Sequence, residues 1–232
     1  MKTDFQTKEA TGFEYRRSWL DFRKRHLVVE DSGIKIDTGL PHLKSEQFIP
    51  GDQIAGFRYG VKWVRGIYCY VALDFHLYLL LRNNKVIPFT YRCYYGIKKE
   101  AYHRFYADVI NTVWNRIFVS RVKEMLQQLN EGKEIEINKV QINKSGVTIV
   151  QSGFISDQKL FIPWEEVGTV DYATYFVVFS KKDKARLNRS YRYLDDWNTM
   201  LLNGVLRSVL DNIPPSTADG TGEVMNQSKQ DK

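Results

Sequence analysis

Residues 27–59 (LVVEDSGIKIDTGLPHLKSEQFIPGDQIAGFRY) lie on residues 140–172 (VQINKSGVTIVQSGFISDQKLFIPWEEVGTVDY) at a fixed offset of 113 residues, without a gap. Ser32/Ser145, Gly33/Gly146, Phe48/Phe161, Ile49/Ile162, Pro50/Pro163 and Tyr59/Tyr172 are identical, and Ile34/Val147, Ile36/Ile149, Asp52/Glu165 and Ile54/Val167 keep their character. A Ser-Gly or a Phe-Ile-Pro alone arises by chance. Both at one offset, with the apolar positions in register between them, mark two copies of one unit. The fold must therefore be one that can be built twice in 232 residues.

Each copy reads in the same order. Leu27, Val29, then Ile34, Ile36, and in the second copy Val140, Ile142, then Val147, Ile149, alternate with period two about the Ser-Gly pair. This pattern is that of a half-buried strand, a turn and a second strand, with the glycine expected to supply a positive φ to the turn. Phe-Ile-Pro ends a third strand, because proline has no amide hydrogen for the ladder. Two more strands follow in each copy: 68–81 and 86–91, joined across Asn83 and Asn84, and 175–179 and 189–193, joined by a longer charged loop. Tyr91-Arg92 and Tyr191-Arg192 read as a matching pair that closes these strands. A helix follows in each copy, the second expected to start at Asp195-Asp196 and to stop at Pro214-Pro215.

Between the copies, residues 97–131 contain no glycine or proline. Tyr102, Phe105, Tyr106, Val109, Val113 and Ile117 share one helical face, and on the same count Phe118, Val122, Met125, Leu126 and Leu129 fall nearly opposite. A stripe that changes sides near Ile117 predicts either one helix packing on each copy in turn or two helices with a kink there.

These features together resemble tandem pleckstrin-homology-like domains of bacterial type. The Ser-Gly hairpin, the strand-end motif 161–167 with its weaker twin 48–54, and the amphipathic helix after each copy carry the resemblance. It implies an α+β chain of two small antiparallel β-barrels or sandwiches, each closed by a C-terminal helix. Residues 1–117 are expected to form the first unit and 118–213 the second, with 214–232 expected to be a polar, disordered tail. It also implies phosphoinositides, peptides or other proteins as ligands, or a scaffold role, and no catalytic signature. Neither Ser-Gly hairpin carries the lysine and spaced basic pair of the inositide-binding members.

The residues themselves point away from catalysis. His26, His42, His76 and His103 are scattered outside any metal-ligand or nucleophile-base spacing. Glu165-Glu166 and Asp195-Asp196 are explained by a strand end and a helix start, and no phosphate loop or nucleophile elbow occurs. No enzyme activity, cofactor or metal is expected. Cys69 and Cys93 are too few for a disulfide framework and are read as core thiols in a reducing compartment. Residues 1–10 lack an apolar signal core. The most apolar stretch, 67–81, carries Asp74 and His76 and is shorter than the roughly 20 residues of a membrane span. A cytoplasmic protein without a transmembrane segment is expected.

Charge singles out candidate surfaces. The chain carries a formal net +7, concentrated in Arg16, Arg17, Arg23, Lys24 and Arg25 beside Trp19 and Phe22, and in Lys181, Lys182, Lys184, Arg186 and Arg189 with Arg192. Such clusters suit anionic lipid headgroups or an acidic protein, or keep a solvated face. Nucleic acid ranks last, as no recognition motif accompanies the charge. Tyr68, Tyr70, Phe75 and Tyr78 on strands and Trp114 and Trp197 on helices are expected in the core, with Tyr94 and Tyr95 the most exposed aromatics. The expected function is a non-enzymatic binding or scaffolding module peripheral to an anionic membrane or bound to a protein. A lipid or small-molecule binder using the cleft between the units is the alternative, and the oligomeric state is left open.

Overall fold

The computed structural model of the chain describes residues 10–18, 21–37, 46–94, 98–152 and 157–212. In the first half, β1 (Thr11–Tyr15), β2 (Arg25–Glu30), β3 (Gly33–Asp37) and β4 (Glu46–Pro50) form one antiparallel sheet in that order. A second, three-stranded sheet is built from β5 (Ile54–Arg65), β6 (Tyr70–Leu81) and β7 (Val86–Tyr94). The second half repeats the scheme: β8 (Ile135–Ile137), β9 (Val140–Asn143), β10 (Gly146–Ser152) and β11 (Asp157–Pro163) make four strands, and β12 (Val167–Asp171), β13 (Tyr175–Ser180) and β14 (Asn188–Arg192) make three. Between the halves runs α1 (Lys99–Val113), a π turn (Trp114–Phe118) and α2 (Val119–Asn130), and α3 (Thr199–Asp211) follows the last strand. The architecture is α+β with antiparallel pairing, in four sheets and without a closed barrel among the described residues.

The two copies agree in detail around the Ser-Gly hairpin. Gly33 pairs with Pro50 and Gly146 with Pro163. Gly51 N–H donates to Ser32 O at 2.8 Å, and Trp164 N–H donates to Ser145 O at 3.3 Å. Ile34, Ile36, Ile49 and Ile54 are buried, as are Val147, Ile149, Ile162 and Val167. Gly33 has the expected positive φ, 157°, whereas Gly146 is not among the positive-φ described residues, so the need for glycine that both copies share is close approach. A Cβ on Gly33 would stand 2.2 Å from Ile49 O and 3.0 Å from the Phe48 ring, and one on Gly146 would stand 2.3 Å from Ile162 O and 2.9 Å from the Phe161 ring. This explains why Phe48 and Phe161 recur although both are about half exposed: each ring lies over a strand glycine and replaces the packing its side chain lacks. Gly33→Val and Gly146→Val should each cost about 1–3 kcal/mol or more through the displaced strand. Chemical denaturation of the two variants checks this, and an undisturbed midpoint in one copy only would break the equivalence.

Farther along, the equivalence shifts register. Ladder rungs counted from Ile54–Leu81 in the first copy and Val167–Ser180 in the second run in step, except that Ala55 is bulged out and Gly56 takes the next rung. Tyr59 therefore stands level with Asp171, not Tyr172, and Tyr191 stands level with Phe89. Two residues on, Tyr193 matches Tyr91, so the Tyr-Arg pairing expected from the sequence is out by two positions. The Asn83-Asn84 turn is as expected, with Asn84 at φ 63°.

The connector is one continuous helix whose stripes serve two cores. Tyr106, Val109, Ile110, Val113, Ile117 and Phe118 pack with the inward faces of both sheets of the first unit, whereas Val122 and Leu129 join the second core together with Leu201, Leu202, Val205 and Leu206 of α3. Phe118 thus belongs to the first core rather than the second. Of the two expected geometries, the one realised is a single helix packing on each copy in turn, with a π turn at the switch: Val119 N–H reaches Trp114 C=O, five residues back.

The units meet at the free edge of β5. Tyr59 N–H donates to Tyr193 O at 2.8 Å, Asn198 N–H donates to Phe57 O at 2.9 Å, and the Asn198 Oδ1 accepts from Phe57 N–H at 3.1 Å. Gly56 and Gly60 make room for this contact, since a Cβ on them would lie 2.7 Å from Asn198 Oδ1 and 2.8 Å from Leu194 Cβ. Trp114 packs against both cores and against Gly204 of α3, so it is a junction residue and only partly buried. Trp197 lies before α3, with the Arg58 guanidinium 4.5 Å from its ring. The acidic pair does not start that helix: α3 begins at Thr199, and the Asp196 carboxylate accepts from Arg192 N–H at 2.8 Å in the preceding turn. Pro214-Pro215 and the tail lie outside the described residues.

Candidate functional site

The N-terminal basic cluster is largely occupied by partners from neighbouring strands. The Arg23 guanidinium bonds Asp37 at 3.0 Å, and Lys24 bonds Glu14 at 2.8 Å. Arg25, 4% exposed, is paired with Asp21. Partial burial works to raise the Asp21 carboxyl, but hydrogen bonds from Arg25 and from Arg23 N–H outweigh it and hold the group below its ordinary value. Arg16 and Arg17 remain exposed. Arg16 rims a hollow of about 290 Å3 floored by Tyr91, Tyr102 and Phe105, and the Arg17 carbonyl accepts from Arg92 N–H at 2.7 Å, tying the segment to β7. Phe22 is exposed, and Trp19 lies outside the described residues.

The second cluster forms a shaped loop, 181–187, between β13 and β14. Leu187 N–H donates to Asp183 O at 2.9 Å and Arg186 N–H to Asp183 Oδ1 at 3.2 Å, so the one acid of the loop is used in folding it. Lys182 bonds Glu166 at 2.5 Å. This hydrogen bond lowers the Glu166 carboxyl and raises the Lys182 ammonium relative to their ordinary values. Lys184 lies 5.1 Å from the Phe179 ring, and Arg189 lies 5.1 Å from that of Tyr191. Lys181 and Arg186 are exposed, with no ion-pair partner among the described residues. In the first copy the same connection is a tight turn at residues 82–85, with Leu81 N–H donating to Lys85 O at 2.8 Å.

A surface that sequence reasoning placed in the core stands at the other end of the first unit. In the second copy the middle hairpin ends at Asp171–Phe176, but in the first it runs on through Gly60–His76 to Arg65–Tyr70, roughly 15–20 Å farther at strand rise. Among the described residues the third strand has its last rung at Ala72–Tyr94, and beyond it β5 and β6 pair with each other as a two-stranded finger. Ile67 is 85% and Tyr68 97% exposed, and Trp63, Cys69, Tyr70 and Val71 are also exposed. Tyr68, Tyr70 and Cys69 are thus surface residues. Phe75 and Cys93 are buried and Tyr78 is half-buried, as is Tyr94; Tyr95 lies outside the described residues. The signal missed was the length mismatch between β6 and its neighbour β7.

No trio of His, Cys, Asp or Glu among the described residues is placed to hold a metal ion. The junction between the units is filled by Tyr59, Trp114, Tyr193 and Met200. A cavity of about 850 Å3 lies instead within the second unit, between Leu126 and Leu129 of α2, Trp164, and Val209 of α3. Among the described residues, no helix is long and apolar enough to cross a membrane. No family model and no curated protein matches the chain.

Proposed function

We propose that the chain is a non-enzymatic binding and scaffolding module of two pleckstrin-homology-like units that docks on an anionic surface. One observation carries this reading: the copies share their core rung by rung and differ in two outward hairpins. The first copy lengthens its middle hairpin, and the second replaces a tight turn with the basic loop 181–187. Whatever one copy folds without is surplus to folding in the other, and such surplus on a rigid scaffold is where binding residues collect. Four strands, three strands and a closing helix in each half suit the pleckstrin-homology-like resemblance. The filled junction favours surface docking over a ligand held between the units.

The loop supplies the test. Replacing Lys181, Lys182, Lys184 and Arg186 by Ser removes four cations, each worth about 1 kcal/mol near an anionic membrane. Retention on phosphatidylserine-containing vesicles, or on poly-glutamate beads, should fall at least about tenfold and lose its salt dependence. The melting temperature should hardly move, because exposed charges contribute little to stability. Retention on both supports that is indifferent to the four replacements would overturn the reading.

A further inference from the structure

The β5–β6 finger is where the first unit departs furthest from its twin, and its composition is one-sided. From Val61 to Leu73 there is no acid, while Lys62 and Arg65 are exposed and Lys99 at the start of α1 stands 5.6 Å from the Trp63 ring. Asp74, the nearest acid along the strand, is held by Arg92 at 2.6 and 2.7 Å. Glu100, exposed beside Lys99, is the one acid on the adjoining helix turn. Trp63 and Tyr70 pack together with ring centroids 5.3 Å apart, behind a tip closed by Gly66 N–H donating to Cys69 O at 2.7 Å. The order from the tip inward is Ile67 and Tyr68, then Tyr70 with Arg65 opposite it, then Trp63 with Lys99 beside its ring, then Lys62.

We infer that this finger inserts Ile67 and Tyr68 into the interfacial layer of an anionic bilayer, with Trp63 and Tyr70 at headgroup depth and Lys62, Arg65 and Lys99 against anionic headgroups. The inference rests on the reading of the chain as a module for anionic surfaces and names its partner. Three arguments select a bilayer. Trp and Tyr concentrate at the membrane interface, where an apolar body and a polar tip are both satisfied. Basic side chains near an anionic leaflet are attracted to it. The tip is also too small for a stable protein interface, which needs about 800 Å2 on each side, whereas a fluid bilayer needs no matching shape. Depth is limited to the interface, because the open edges of a two-stranded ribbon have no hydrogen-bond partners in hydrocarbon.

The test uses the full chain with vesicles of phosphatidylcholine alone and with added phosphatidylserine. The double variant Ile67→Asp, Tyr68→Asp should sediment with anionic vesicles at least about tenfold more weakly and keep the wild-type melting temperature, since the tip lies beyond the third strand. Ile67→Leu with Tyr68→Phe should bind as the wild type does. Cys69 is exposed at the tip and Cys93 is buried, so a polarity-sensitive fluorophore on Cys69 should shift to the blue with anionic vesicles and not with phosphatidylcholine alone. Its response keeps the inference testable if the Asp variant misfolds. Anionic-vesicle binding that survives the Asp pair with an unshifted label, but falls in the Lys181 loop variant, would overturn insertion and leave the proposed function standing. Loop-dependent retention on poly-glutamate without any vesicle binding would do the same. Loss in the tip variant alone, with a shifted label, would support insertion while overturning the loop-based reading of docking.

Discussion

A chain cut after residue 97 will not fold cooperatively. It keeps every strand of the first unit but loses Tyr106, Val109, Ile110, Val113, Ile117 and Phe118, which lie in the first core. At about 1.5–3 kcal/mol for each large apolar side chain buried, the helix supplies on the order of 10 kcal/mol, comparable with the whole net stability of a typical domain, about 5–15 kcal/mol. The cut also strips the cover from the β5 edge, since Tyr193 and Asn198 leave with the second unit. Urea denaturation followed by circular dichroism should show a broad, non-cooperative change in place of a transition. A sharp transition from residues 1–97 would mean that the two sheets close a core without the helix.

Trp114→Ala should be the most damaging single truncation at the junction, at about 3–5 kcal/mol. For a chain near this length each kcal/mol moves the melting temperature by about 2–4 °C, so a fall on the order of 10 °C is expected. The residue has no substitute: its ring lies parallel to Phe118 at 6.4 Å between centroids, and Gly204 opposite has no side chain with which to close the gap. Because Trp114 touches both cores, amide exchange should quicken in α1 and α3 together. Loosening confined to α1 would show that the second core does not depend on it.

The duplicated cores were legible because their causes are local. Period-two alternation and a glycine under a cross-strand ring act within one hairpin, so both copies had to keep them in the sequence. The bulge at Ala55 was illegible because it leaves residue identities in place while moving their pairing by one rung, so that the repeated Tyr59 and Tyr172 do not stand on the same rung. Tyr68 and Tyr70 read as core because hydrophobicity along β6 does not reveal where β7 stops beside it. The cluster from Arg16 to Arg25 read as one patch because Glu14 and Asp37, which bind Lys24 and Arg23, come from other strands. The switch in the connector's stripe was visible, but not the single wide turn that accommodates it.

That wide turn determines how the duplicated halves face each other. Each residue of an α-helix turns the chain by about 100° and advances it about 1.5 Å, so the surplus residue held in the π turn acts as an angular offset between two otherwise similar bodies. Without it, regular winding would carry the second unit about a quarter of the way around the helix axis, taking Tyr193 and Asn198 away from β5. The relative orientation of the copies is therefore encoded digitally, in one residue count between Trp114 and Phe118, and a single insertion or deletion there would rotate one copy about the helix axis however conservative the substitutions around it.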